Sequence, residues 1–124
     1  MILCDTGILI EFYKNNPVIV QELRKIGQEQ LAISAITQAE LYFGALNKSE
    51  LRMIKRHLAT LPLFPLDSEI SLKFLGLMEA YSLSHRLSLP DALIAATALV
   101  HQVELYTLNL KDFRYIPELK LYQP

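Results

Sequence analysis

Three carboxylates could act together in this 124-residue sequence, Asp5, Glu40 and Asp91, with Asn109 and Asp112 following further along the chain. Carboxylates held close in a partly apolar cleft repel and raise each other's pKa values. A hard divalent cation relieves that repulsion. Mg²⁺ takes a few carboxylates, with water completing an octahedron at about 2.0–2.1 Å, and Mn²⁺ accepts the same oxygen ligands. Zinc is disfavoured, because no His or Cys stands at a usual ligand spacing. A cation held by carboxylates and water suits phosphodiester hydrolysis: it polarises a phosphoryl oxygen, acidifies a water and stabilises the leaving oxygen.

Acids so far apart in the chain act together only if the fold gathers them. Ile2–Asp5 reads as a buried strand, followed by helices over Thr6–Lys14 and Val18–Ile26. Leu31–Ser34 is the next strand, then helices run over Thr37–Leu46 and Ser49–Leu61. Leu63–Leu66 is a short strand, kept to an edge by Pro65. A long amphipathic helix covers Ser68–His85, and another opens at Ser88-Leu89-Pro90-Asp91 and runs to His101. Val103–Thr107 and Leu119–Tyr122 complete the strands. Strands alternating with helices predict an α/β domain with a mostly parallel sheet covered on both faces. In such a sheet all strands end on one edge, where ligands bind. Asp5 ends the first strand, Glu40 and Asp91 fall in first helical turns, and Asn109 and Asp112 follow the Val103–Thr107 strand. All are expected at that one edge.

Each acid also has a plainer explanation as a helix cap. Thr37-x-x-Glu40 is a capping-box pattern, Ser88-x-x-Asp91 nearly matches it, and Asp5 could cap the helix from Thr6. Caps, however, have no reason to share one edge beside apolar neighbours such as Cys4, Leu41 and Ala92. Convergence favours the metal site.

Composition bounds the alternatives. A chain with 52% hydrophobic and 20% charged residues packs a core, and its length suits one domain over residues 1–124. A single cysteine excludes a disulfide scaffold and fits a reducing, cytoplasmic setting. The longest apolar stretch, Ala92–Val100, is too short to span a bilayer, so no membrane role is expected. A net charge of −1 argues against a surface that coats nucleic acid non-specifically, leaving a local site.

The ordered set of motifs resembles the PIN-domain ribonucleases, specifically the VapC-type toxins of bacterial toxin–antitoxin pairs. Its pieces are Leu3-Cys4-Asp5-Thr6, Ser34-Ala35-Ile36-Thr37-Gln38-Ala39-Glu40-Leu41, Leu89-Pro90-Asp91-Ala92-Leu93-Ile94-Ala95-Ala96-Thr97-Ala98 and Tyr106-Thr107-Leu108-Asn109-Leu110-Lys111-Asp112-Phe113. The resemblance spans essentially the whole chain. The resemblance implies a three-layer α/β/α fold and Mg²⁺- or Mn²⁺-dependent endonuclease activity on RNA, leaving 5′-phosphate and 3′-hydroxyl ends. It also implies a homodimer, and a small antitoxin whose C-terminal segment crosses the active cleft. By position, Asp5, Glu40 and Asp91 match the acidic site, with Asp5 and Asp91 as metal ligands. Thr6 and Thr107 match its supporting hydroxyls. The fourth acidic position falls on Asn109, which offers only a neutral carbonyl oxygen. That departure leaves one ion or two open, and leaves open an inactive member of the family. Asp112 is read as a cap for the short turn before Phe113.

Two other classes compete. One is another Mg²⁺-dependent phosphoryl hydrolase, against which Gly7 stands where an aspartyl-phosphate enzyme carries a second acid. The other is a non-catalytic α/β interaction module whose acids only cap helices. Lys48, Arg52, Lys55 and Arg56 share a helix face that reads as solvated, with Lys14 and Arg86 as separate cations at the cleft entrance. Phe12, Tyr42 and Phe43 read as core or dimer packing.

Overall fold

In a strand, successive side chains point to opposite faces. Leu3 and Cys4 in β1 (Ile2–Cys4), Ala32 and Ile33 in β2 (Leu31–Ser34), and Leu105 and Tyr106 in β4 (Glu104–Tyr106) are all buried. Strands buried on both faces need helices on both sides. The computed structural model, which describes residues 1–124, has that construction. Leu3, Ala32 and Leu105 pack with Ile70 and Leu77 of α5 (Ser68–Tyr81), with the alanine-rich face of α6 (Leu89–His101), and with Phe113 and Ile116. Cys4, Leu31, Ile33 and Tyr106 form the opposite core. They meet α1 (Thr6–Tyr13), α2 (Pro17–Ile26), α3 (Ala35–Phe43) and α4 (Lys48–Leu58). The result is three layers, α/β/α.

With β3 at Leu63–Phe64, the sheet order is β3–β2–β1–β4, and every pairing is parallel. β3 stops there, because Pro65 has no N–H to continue the ladder. The expected strand at Leu119–Tyr122 reduces to one parallel bridge, Leu105 with Leu121. No helix is long and apolar enough to cross a membrane.

Several helix ends differ from the sequence expectation. α3 starts at Ala35, because Ser34 rather than Thr37 is its cap and accepts from the Thr37 N–H at 3.2 Å. Glu40 therefore sits in the second turn, and the Thr37–Glu40 capping box does not form. α5 stops at Tyr81, four residues before His85. The chain then turns through Ser82–Ser84 and passes Arg86 at φ 53°, in left-handed backbone. Lys48, Arg52, Lys55 and Arg56 are all exposed, as a solvated face should be. Phe43 is 95% exposed and so is not core.

Candidate active site

Parallel register decides what meets at the carboxyl edge. Cys4 of β1 pairs with Tyr106 of β4, so the next residues, Asp5 and Thr107, emerge side by side. Thr107 Oγ1 donates to Asp5 Oδ2 at 2.7 Å, and the Thr6 N–H donates to Oδ1 at 2.9 Å. Asp5 is thus the N-cap of α1 and a buried member of the cluster at once. The Asn109 N–H donates to Thr107 Oγ1 at 3.0 Å, which turns the threonine hydrogen toward Asp5.

A second chain of bonds fixes Glu40. Thr6 Oγ1 donates to Glu40 Oε1 at 2.7 Å and lies 3.0 Å from Thr37 Oγ1. Thr6 has one hydroxyl hydrogen, and the carboxylate is the stronger acceptor. Thr37 then supplies its own hydrogen to Thr6, and Ser34 Oγ, 3.2 Å away, supplies Thr37. All three hydroxyl residues are buried. The sequence reads Thr37 only as a helix cap and gives Ser34 no role in the site; their i, i+3 spacing at a strand-to-helix junction is the signal that joins them.

Asp91 is half-buried in the first turn of α6, its N–H held by Ser88 Oγ at 3.2 Å. Burial first, then the charges of Asp5, Asp112 and Glu40, push its carboxyl from 3.8 up to about 6, against a lowering hydrogen bond from Ser88. Asp5 is also raised, mainly by burial and further by Glu40 and Asp112, although its bonds from Thr107 and Thr6 pull it back. These couplings place all four carboxylates in one electrostatic neighbourhood.

Asp112 does not cap the short turn before Phe113. It is the last residue of the 3-10 turn Leu110–Asp112, whose N-cap position is Asn109 and which has no side-chain cap bond. Its charge is felt by both Asp5 and Asp91. Asn109 is exposed, and only its backbone is engaged here. The charge expected near Asn109 is supplied three residues later.

Cys4, beside Asp5, is raised to about 12 by burial and by that aspartate's charge, so it stays a thiol and is no nucleophile. The carboxylates share a field without closing on one point: no three His, Cys, Asp or Glu side chains form a ready-made ligand set. A cup built from Asp5, Glu40 and Asp91 together is therefore not preformed. Mg²⁺ is usually bound through one or two carboxylates with waters, so the donor chemistry still fits it.

The family model for the PIN domain matches residues 2–119. The chain belongs to the PIN-domain family. Within that family it is similar to Ribonuclease VapC10 of Mycobacterium tuberculosis, 37% identical over 124 residues that cover 97% of this chain and 91% of that one. Ribonuclease VapC19 of the same organism is 32% identical, covering 97% and 98% respectively. Among solved structures it is similar to a chain of a toxin–antitoxin complex from Klebsiella pneumoniae, at a TM-score of 0.83 and 34% identity over 100% of both chains.

Proposed function

We propose that this chain is a Mg²⁺-dependent endoribonuclease, with Mn²⁺ able to substitute, acting as the toxin of a VapBC-type toxin–antitoxin pair. One observation carries the reading: four carboxylates from distant segments feel one another at the carboxyl edge, where burial first and their mutual charge second hold Asp5 and Asp91 above their ordinary range. The ribonuclease relatives, aligned over 97% of this chain, support the substrate class.

Asp5 and Asp91 would hold the ion, with Asp112 as the third charge facing it. A divalent ion there supplies Lewis acidity to the phosphoryl oxygen and acidity to the attacking water. Thr107 and the Thr6 N–H hold one lone pair on each Asp5 oxygen, which fixes the carboxylate plane and leaves the other lone pairs outward. Thr6 anchors Glu40 through Oε1, so Oε2 is the oxygen that accepts the proton of the attacking water. Asn109 contributes by orienting Thr107 rather than by charge.

A cleft of about 410 Å³, lined by Ile10, Tyr13, Leu41, Leu46 and Met53, has Glu40 in its wall. Its apolar lining supports an antitoxin segment lying across the site. Phe43 at 95% and Leu46 at 84% exposure are large apolar side chains left uncovered by the single chain, which supports a homodimer or that antitoxin contact. A free, buried Cys4 is compatible with work in the cytoplasm.

The test is RNA cleavage by the purified chain with Mg²⁺, with Mn²⁺ and with chelator. Cleavage that needs the ion and disappears in Asp5→Asn is expected. Cleavage that survives both chelation and the substitution contradicts the assignment.

A further inference from the structure

Beside the acids stand three rings in contact, two of them stacked. His85 lies parallel to Tyr115, with centroids 3.9 Å apart and planes 15° apart. Tyr81 meets Tyr115 edge-on at 5.1 Å and His85 at 5.7 Å. Tyr81 and Tyr115 are partly buried against the core, whereas His85 is exposed. Its position is nonetheless fixed. Ser84 Oγ lies 2.8 Å from Nδ1, and the His85 N–H donates to Tyr81 O at 3.1 Å.

The stack joins the two segments that supply acids. One is the loop from α5 to Ser88, the N-cap of α6 and so of the turn that holds Asp91. The other follows Asp112 directly. Tyr115 feels both carboxylates: after burial, the charges of Asp91 and Asp112 raise its hydroxyl. A cleft of about 250 Å³ lined by Met78, Ser82, Arg86, Leu87, Ser88 and Leu89 opens where this loop enters α6. Arg86 and Arg114, the chain neighbours of His85 and Tyr115, are exposed and make no ion pair.

An exposed ring held on a second ring next to a phosphodiester-directed acid site, with exposed, unpaired arginines next to both rings in the chain, matches what an unpaired nucleotide needs. Bases stack on aromatic or His rings, and phosphates take Arg. Building on the ribonuclease assignment above, we propose that His85, backed by Tyr115, is the stacking platform for one unpaired base of the RNA. Tyr115 supports the platform from beneath. Arg86 and Arg114 offset the repulsion between the acids and the sugar–phosphate backbone. Stacking tolerates any base, so the platform registers the strand without selecting its sequence.

The probe is a fluorescent single-stranded oligoadenylate titrated against the full chain in chelator, so that binding is read without cleavage. His85→Ala should weaken binding about 5- to 150-fold, the range one stacked base is worth, while His85→Phe should bind as the unmodified chain does. An oligoadenylate carrying one abasic position in the bound register should bind less tightly to the unmodified chain and no less tightly to His85→Ala. In cleavage assays the His85→Ala loss should appear in KM and leave kcat. Wild-type affinity in His85→Ala, or a Phe variant as weak as the Ala variant, overturns the platform. If the unmodified chain cleaves no RNA but the binding differences remain, the nuclease assignment fails and the platform stands. Robust cleavage with unchanged KM in His85→Ala removes the platform and leaves the nuclease assignment intact.

Discussion

Replacing Asp91 by asparagine removes a charge from the first turn of α6 and keeps the side chain's shape. A carboxyl raised from 3.8 to about 6 has its ionised form disfavoured by ~3 kcal/mol. Asp91 is only half-buried, and water screens such a group, so about 1–2 kcal/mol remains. The sign follows from which state loses its proton first. Below pH 3.8 both folded and unfolded chains hold the proton, and the group contributes nothing. Between pH 3.8 and about 6 the unfolded chain ionises first, so folded stability falls as pH rises. The penalty is complete above that window. In chelator at neutral pH, Asp91→Asn should therefore melt about 3–10 °C higher than the unmodified chain. That gap should close as the pH is lowered toward 3.8. Added Mn²⁺ should raise the melting temperature of the unmodified chain and leave the variant unmoved. Scanning calorimetry across pH reads all three. A variant melting at or below the unmodified chain in chelator, or an equal gap at both pH extremes, refutes the cost of holding a charge at Asp91, which burial sets first and the neighbouring acids add to.

Thr107→Val keeps the packing but removes the donor to Asp5 Oδ2; RNA cleavage or Mn²⁺ affinity should fall about 10- to 100-fold, measured by initial rates and calorimetric titration. Asp112→Asn should weaken Mn²⁺ binding, because its charge reaches both Asp5 and Asp91; Asn109→Asp should change it less, because the exposed Asn109 joins the site only through its backbone N–H. Phe113→Ala empties a fully buried ring position; chemical denaturation should show a loss of about 3–5 kcal/mol.

The layer architecture is legible because both faces of the strands are apolar and the helices between them carry clear stops. Asn16-Pro17 and Ser88-Leu89-Pro90 each combine a capping side chain with an early proline, and both helices begin where those signals fall. Ser34-Ala35-Ile36-Thr37 carries two residues able to cap. Local chemistry cannot choose between them, and the choice rotates Glu40 from a cap into a hydrogen-bonded chain with Thr6. The end of α5 is equally hidden. Ser82–Ser84 contain neither Gly nor Pro, yet the chain leaves the helix there, with Arg86 in left-handed backbone. The role of Asp112 is hidden for a related reason. Its place depends on a 3-10 turn that brings a residue three positions beyond Asn109 back toward the edge. The rings of His85 and Tyr115 are about thirty residues apart, and no periodicity links them.

Mn²⁺ binding followed by electron paramagnetic resonance tests the central claim most directly, because it reads the ion without depending on any RNA. The unmodified chain should take up Mn²⁺ saturably and release it to excess Mg²⁺. The Asp5→Asn, Asp91→Asn double variant should stay folded and leave the ion free in solution. Equal uptake by the two proteins, or none by the unmodified chain, would mean that these acids serve their helices and not a cation.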